Sequence, residues 1–423
     1  MGYKNVYWAG ALGAGGGTQT LMSGGVLATL DIDFVNDRAW NNGPTTIASL
    51  LSCTRATPVA AYYTKADGTL TSFAANTLRY GTNGLLVEES RVNALLQSQT
   101  FNNASWAPAN LTITANAATA PDGTLTADLV YPTTSGTTRR LQQGPTGSAV
   151  TTTWTIYAKY SGIRYIYAFK HDGSAVAVWF DIQNGAVGTV ESGYTASITA
   201  LANGWYRCTH VGPGAVSNFS GYIGLSSADN SESVTANGTD GVYLWGAQHE
   251  LGAFATSYIP TTTVAVTRAA DVVTAGVSWL TDGTGTLYSQ HLVSGRNTSA
   301  DGSYRFSLTG GSGAIDTYCL GGASNTRGHV FNGANNGYMD TGSLTVGTAA
   351  KEALAFAAGD QAYAPNGGGA PATATITPAT TGATSLRFGY GDTSTPGYLN
   401  GYIRRFAYWP SRLSNAALQV LTT

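Results

Sequence analysis

Two stretches of strict alternation constrain this chain more than any other feature. Across residues 152–160, Trp154, Ile156 and Ala158 fall on one parity and Thr155, Tyr157 and Lys159 on the other. Across residues 176–182, Val176, Val178, Phe180 and Ile182 share one parity, and Ala177, Trp179 and Asp181 the other. A period of two belongs to an extended strand with one face in a core, because successive side chains leave a pleated backbone on opposite sides. Asn184-Gly185 and Asn203-Gly204 then read as turns, since both residue types tolerate the left-handed backbone of a tight reversal. Such strands, spaced about 8–12 residues apart with no helical period between them, predict an antiparallel sandwich.

The composition supports the same class. Charged residues make up 10% of the 423, well under the roughly 25% of an average soluble protein. Polarity comes instead from Thr, Ser, Asn and Gly, and 24 Tyr and 9 Trp supply aromatic strand residues. Long charged helices are excluded. The expected fold is all-β, with tandem antiparallel β-sandwiches (jelly rolls) after a loop-rich N-terminal attachment region. The expected boundaries are 1–92 for that region, 93–272 for the first sandwich and 273–423 for the second, with residues 261–275 a linker. In the first segment, residues 11–16 and 23–25 read as flexible, and Lys65 to Leu70 as a hairpin turn. Strand candidates in the last segment begin at Gly285, Tyr304, Ala353, Leu386 and Tyr402. At the end, Ser414 is positioned to cap a short helix carrying Leu418 and Leu421 on one face.

Net charge is -2 and the pI near 6.2, which argues against a nucleic-acid partner, since that needs a basic stripe. No apolar run approaches the ~18 residues of a membrane-inserted helix. Residues 1–17 lack the apolar core of a secretory signal, so a soluble chain is expected. Cys53, Cys208 and Cys319 are far apart and form no CxxC pair, which reads as reduced thiols in a chain assembled in a cytoplasm.

Three blocks resemble a known family. The first is Gly84-Leu85-Leu86-Val87-Glu88-Glu89 through Asn93, Leu95-Leu96-Gln97-Ser98, Phe101 and Trp106. The second joins Asn203-Gly204-Trp205-Tyr206-Arg207-Cys208 to Leu244-Trp245-Gly246-Ala247-Gln248 and Ser257-Tyr258-Ile259-Pro260-Thr261. The third is Leu399-Asn400-Gly401-Tyr402-Ile403-Arg404-Arg405-Phe406-Ala407-Tyr408-Trp409 followed by Arg412-Leu413-Ser414-Asn415. Together they resemble bacteriophage virion proteins of the fibre or spike type, with a carbohydrate-binding-module-like jelly roll and a concanavalin A-like (laminin-G-like) C-terminal sandwich. The sequence departs from that pattern at Ser90-Arg91-Val92-Asn93-Ala94, at His249, and at Ala417, where a Glu would complete a capping box. The resemblance implies a virion component, tail or head fibre, that assembles in the host bacterial cytoplasm. It also implies a homotrimer, attachment to other virion proteins through the N-terminal region, and adhesion to host-surface glycans. The competing reading is a decoration or fibre protein that binds only neighbouring virion subunits; a polysaccharide hydrolase component is third.

Signals for catalysis are poor. His171, His210, His249, His291 and His329 are scattered without metal-ligand spacing, and no HExxH, GxSxG or P-loop occurs. Glu88 and Glu89 are adjacent, so on a strand they point to opposite faces and cannot flank a glycosidic bond. No catalytic residue and no enzyme is expected. Binding is carried by Tyr157, Lys159, Trp179 and Asp181, which lie opposite the apolar parity of their strands and supply rings with polar neighbours for a glycan. Ordinary cross-strand packing or a subunit contact is the competing reading. Trp205, Tyr206 and Trp245 read as core. Asp229, Glu232 and Asp240, in one loop with Asn237, are hard oxygen donors suited to calcium. Their spacing is not that of an EF-hand, and a solvated acidic loop competes.

Overall fold

A computed structural model describes residues 6–9, 20–23, 25–57, 60–144, 150–170, 175–213, 221–296, 302–310, 313–320, 325–380, 382–391 and 397–423. Residues 11–16, Gly24 and His171, singled out above, lie outside the described residues. The fold is all-β, 53% strand and 4% helix, in antiparallel sheets. Where three consecutive segments are expected, the chain forms two compact units. Unit 1 comprises residues 1–55, 76–89 and 270–423, and unit 2 comprises 56–75 and 90–269. The first 92 residues are thus divided between the units rather than standing apart.

Unit 2 holds two six-stranded sheets. Sheet I runs in the order Leu111–Ala118, Ala127–Pro132, Gly241–Leu251, Thr152–Ser161, Trp205–Gly212, Thr195–Ala200. Sheet II runs Ala107–Ala109, Arg140–Gln143, Gly221–Ser226, Tyr165–Phe169, Val176–Asp181, Ala186–Val190. The alternation does what it predicts: Trp154, Ile156 and Ala158 join Val178, Phe180 and Ile182 in one buried core with Val242 and Leu244. Between Thr195–Ala200 and Trp205–Gly212 the turn places Asn203 and Gly204 at φ 59° and 76°, the left-handed region these residues occupy at low cost.

Tyr157, Trp205 and Trp245 point the other way, outward from sheet I. They are nevertheless buried, together with Tyr258, by a hairpin of Ala61–Thr64 and Leu70–Phe73 that contributes Tyr62 and Leu70. Tyr62 lies 5.2 Å from Tyr258 and 6.0 Å from Trp245 between ring centroids. The hairpin turn at Lys65–Thr69 is present, closed by Lys65 N–H donating to the Thr69 carbonyl at 2.9 Å.

Unit 1 packs a ten-stranded sheet III against a seven-stranded sheet IV. Leu287, Leu354, Phe356, Ile403 and Phe406 of sheet III meet Phe306, Leu308, Ile315, Val330 and Phe388 of sheet IV; each such side chain contributes about 1.5–3 kcal/mol on burial. Strand Gly401–Trp409 sits centrally in sheet III. Gly285–Val293 pairs along one edge. Leu30–Asp33 and Gly84–Val87 share the other, with Leu30 opposite Tyr408 and Leu85 opposite Ile403. Arg405 fastens the first of these by two hydrogen bonds to Asp31, at 2.8 and 2.5 Å. On the far face of sheet III, helix Asn415–Thr422 buries Leu418 and Leu421 against an alanine-rich surface. The Ser414 hydroxyl accepts from Ala417 N–H, capping the helix as its sequence anticipates.

The expected linker, 261–275, instead contains two paired strands. Val266–Arg268 joins Arg91–Asn93, and Val272–Ala275 enters sheet IV between Ala383–Phe388 and Leu51–Thr54. Its β-branched valines suit strands better than a free tether. Cys53, Cys208 and Cys319 form no disulfide among the described residues.

Candidate functional site

The four residues proposed as a glycan face do not come together. Tyr157 and Lys159 are on sheet I, Trp179 and Asp181 on sheet II. Tyr157 is 1% exposed, enclosed by Trp245 at 5.3 Å and Tyr258 at 5.9 Å, and so offers no ring to a ligand. Parity places a residue on a face but does not say whether another segment covers that face, and here the 61–73 hairpin does.

Trp179 and Asp181 do share a surface, the outer face of sheet II. Cross-strand register sets Tyr167 beside Trp179 and Tyr165 beside Asp181. Phe169 and Tyr222 extend the aromatic row, 4.7 Å apart. The Arg140 guanidinium lies over both, 4.2 Å from the Tyr222 centroid and 4.9 Å from that of Phe169, a cation–π arrangement. At the opposite end Arg164 donates to Asp181 through Nε at 3.0 Å and Nη2 at 2.7 Å, and covers the Tyr165 ring at 5.0 Å. Burial works to raise the Asp181 carboxyl, but the bonds from Arg164 and from the Asn184 backbone and side chain outweigh it and hold the group below its ordinary value.

Access to this face is uneven. Trp179 is held down by an indole N–H bond to the Ser231 carbonyl at 2.7 Å. Tyr222 and Arg140 are half-buried, and Arg164 keeps 44% of its side chain in solvent. Tyr167 is fully buried; its hydroxyl has no hydrogen-bond partner among the described residues, and burial pushes its pKa up. The ring lies flat over Gly224, where an added Cβ would fall 1.9 Å from Tyr167 Cζ. Gly224→Ala should therefore displace the ring and cost about 1–3 kcal/mol through overpacking. A urea midpoint matching that of the unaltered chain would show the contact to be dispensable.

The acidic loop residues are engaged separately. Asp229 accepts from Thr189 N–H at 2.9 Å and from its hydroxyl at 3.1 Å. Glu232 acts on Tyr167, and Asp240 lies against Gly162. Among the described residues no three His, Cys, Asp or Glu side chains gather to hold a metal ion, so the geometry does not assemble the calcium set expected from Asp229, Glu232 and Asp240.

The residues that carry the family resemblance are frame. Asn93 is fully buried; its amide donates to the Ala247 and Ile259 carbonyls at 3.0 and 2.9 Å, and its Oδ1 accepts from Leu95 and His249 N–H at 3.1 Å each. Tyr258 shares a 2.6 Å hydrogen bond with Ser98, and Phe101 and Trp106 are core.

Sequence reasoning missed a second face. On sheet IV, Tyr304, Tyr318, Arg327, His329 and Tyr338 stand on the side away from the core. Tyr318 and Tyr304 stack at 4.7 Å, and Arg327 lies 4.2 Å from the Tyr338 centroid. The signal was present in the parity of Arg327, His329 and Phe331.

No family model matches the chain, and no curated protein matches it. Among solved structures it is similar to a native heptameric SAP-like pentraxin from Limulus polyphemus, at 11% identity and TM-score 0.26, over 34% of this chain and 70% of that one. It is also similar to domains LG4-5 of the mouse laminin alpha1 chain, at 10% identity and TM-score 0.22, over 76% and 88%. Both likenesses are too weak to bear on function.

Proposed function

We propose that the chain is a non-enzymatic virion structural protein of the phage fibre or spike type, which adheres to host-surface glycans through the outer face of sheet II. The observation that carries the adhesion reading is the half-buried pair Arg140 and Tyr222, seated on the buried rings of Phe169, Tyr167 and Trp179, with the partly exposed Arg164 bonded to Asp181 at the far end of that face. Rings present an apolar surface to the C–H face of a sugar, and guanidinium and carboxylate groups at their margins bond its hydroxyls. The three sequence blocks described above support the virion assignment, with partners among other virion proteins. Homotrimeric assembly would multiply weak sites into avidity.

Binding of the purified full chain to a panel of bacterial cells and their extracted surface polysaccharides tests this. Retention should fall about tenfold, equivalent to ~1.4 kcal/mol, in Arg140→Ala and in Tyr222→Ala, both half-buried positions that a fold tolerates. A chain that holds to no cell surface would refute adhesion and leave the purely structural role.

A further inference from the structure

At its Arg140 end the outer face of sheet II is bordered by small residues. Strand Arg140–Gln143 lies between the edge strand Ala107–Ala109 and strand Gly221–Ser226. Leu141, Ile223 and Leu225 point into the core, so by alternation Arg140, Gln142 and Tyr222 point outward. Register sets Gln142 between Ala107 and Tyr222, and Arg140 between Ala109 and Gly224. Ala107 is exposed and Ala109 half-buried, and their methyl groups are too short to cover the longer side chains beside them.

Three polar groups are available there. Arg140, Gln142 and Tyr222 are each half-buried. Their side-chain nitrogens and hydroxyl keep contact with solvent and make no hydrogen bond among the described residues. The rings of Tyr222 and Phe169 steady the Arg140 guanidinium, but no carboxylate among the described residues pairs with it. Arg140, Arg139 and Glu232 all act on the Tyr167 hydroxyl. Arg139 is bonded to the carbonyls of Thr134 and Ser135 at 2.9 and 2.6 Å, neutral acceptors that leave its charge standing. Two cations therefore meet one carboxylate. The other basic groups bordering the face are paired, Arg164 with Asp181 at 2.7 Å and Lys170 with Glu191 at 3.9 Å. Asp229 adds a negative charge at the Tyr165 end. The face is positive at one end and negative at the other.

We propose that the positive end selects saccharides bearing a carboxylate, of the uronic acid class, with Arg140 taking the carboxylate and Gln142 and Tyr222 bonding hydroxyls of the same sugar unit. A guanidinium presents two parallel N–H donors that match the two oxygens of a carboxylate. Stacking on the rings fixes its plane before the ligand arrives, which lowers the ordering cost of binding. An uncharged sugar forgoes the charge-assisted bonds, and an ammonium sugar meets repulsion. The inference rests on the adhesion reading and narrows it to acidic glycans.

Binding of the full chain to polygalacturonate, alginate and hyaluronate, each beside its carboxyl-reduced form, provides the test at about 0.15 M salt, where distant charges are screened. At least one polymer should be held about tenfold more tightly than its reduced form. Arg140→Gln should erase that difference, and Arg140→Lys, which keeps the charge but loses the fork, should restore only part of it. Melting temperatures establish that both variants fold. Lys65→Gln removes the same charge from the hairpin on the sheet I side and should leave binding unchanged. Equal binding to both forms, binding to neither, a difference that survives Arg140→Gln, or an equal loss in Lys65→Gln would each overturn the selectivity. If bacterial cells still hold the chain in any of those cases, adhesion stands without it; if they do not, both readings fall.

Discussion

Asp271→Ala is expected to destabilise unit 1 by about 3–5 kcal/mol, the cost of breaking a buried ion pair by removing one member. Asp271 Oδ1 accepts from Arg55 Nη1 at 2.8 Å, and Oδ2 accepts from Arg79 Nη2 at 2.5 Å and from Glu88 N–H at 2.9 Å. The side chains of Arg55 and Arg79 are 0% exposed and that of Asp271 is 1% exposed. Glu88 bonds Arg79 at 2.8 Å but cannot balance two guanidiniums alone. All four charged residues belong to unit 1, drawn from its three separate segments. Asp271→Asn preserves volume and removes charge, so it separates electrostatics from packing. It should lower the urea midpoint nearly as much as alanine does. A loss under ~1 kcal/mol for both would show that the network is not what holds these segments.

The second large effect is predicted inside the sandwich of unit 1. Arg305 donates to both oxygens of Glu352 at 2.7 Å, and Thr317 and Tyr363 add hydroxyl bonds of 2.6 Å each. Arg305 is 0% and Glu352 2% exposed. Glu352→Leu alone should cost about 3–5 kcal/mol, because it leaves a buried guanidinium uncompensated, whereas Glu352→Leu with Arg305→Met should recover most of that loss. Failure of the double variant to recover would point to Thr317 and Tyr363 as the costly orphans.

The same cluster makes unit 1 acid-labile. Burial lowers the His291 pKa from 6.5 to about 4, against the opposing pull of Glu352, while Arg305 adds to the lowering. For Glu352, burial acts to raise the pKa, yet the attraction of Arg305 prevails and brings it from 4.5 to about 2. In both cases the unfolded chain binds the proton more readily, so stability decreases as the pH is lowered. The His291 contribution is fully present above pH 6.5 and is lost between there and about pH 4, a change of about 3 kcal/mol. The Glu352 contribution disappears between pH 4.5 and about 2. Urea midpoints at pH 7.5, 5.5 and 4 measure the first window. His291→Leu should flatten it, and an unchanged slope would assign the acid loss elsewhere. The Ser289 hydroxyl, 3.4 Å from Nδ1, is neutral and contributes no competing titration.

Much of the fold was legible residue by residue. Alternation at Trp154–Ile156–Ala158 and Val178–Phe180–Ile182 names the core of unit 2, and Ser414 with Leu418 and Leu421 names the last helix and its buried face. Partnership was not legible. Nothing local to Leu30 or Leu85 states that each will lie beside a strand more than 300 residues later, because a strand advertises its face but not its neighbour. Tyr157 illustrates the same gap at the site, since its parity is right and its exposure is decided by Tyr62 on a distant hairpin. Trp179 and Asp181 were placed correctly on one face because both lie on a single strand. The strands bearing Asp316, His329 and Tyr338 were passed over because Gly328, Gly337 and asparagines interrupt their apolar residues. Their outward parity is polar and aromatic, which is what a surface row looks like before its partners are known.

Strand Gly401–Trp409 also dictates an order of events. Both Leu30–Asp33 and Gly84–Val87 pair with it, so these early segments, although paired locally with Arg38–Asn41 and Tyr80–Gly81, cannot join the rest of sheet III until residues 401–409 have been made. Unit 2 ends at residue 269 and can close while synthesis continues. Leu30–Asp33 and Gly84–Val87 are made long before Gly401–Trp409, and until it arrives each keeps one edge unpaired and at risk of pairing wrongly. A chain that stopped before residue 401 would carry a finished unit 2 and two strands lacking their partner in sheet III.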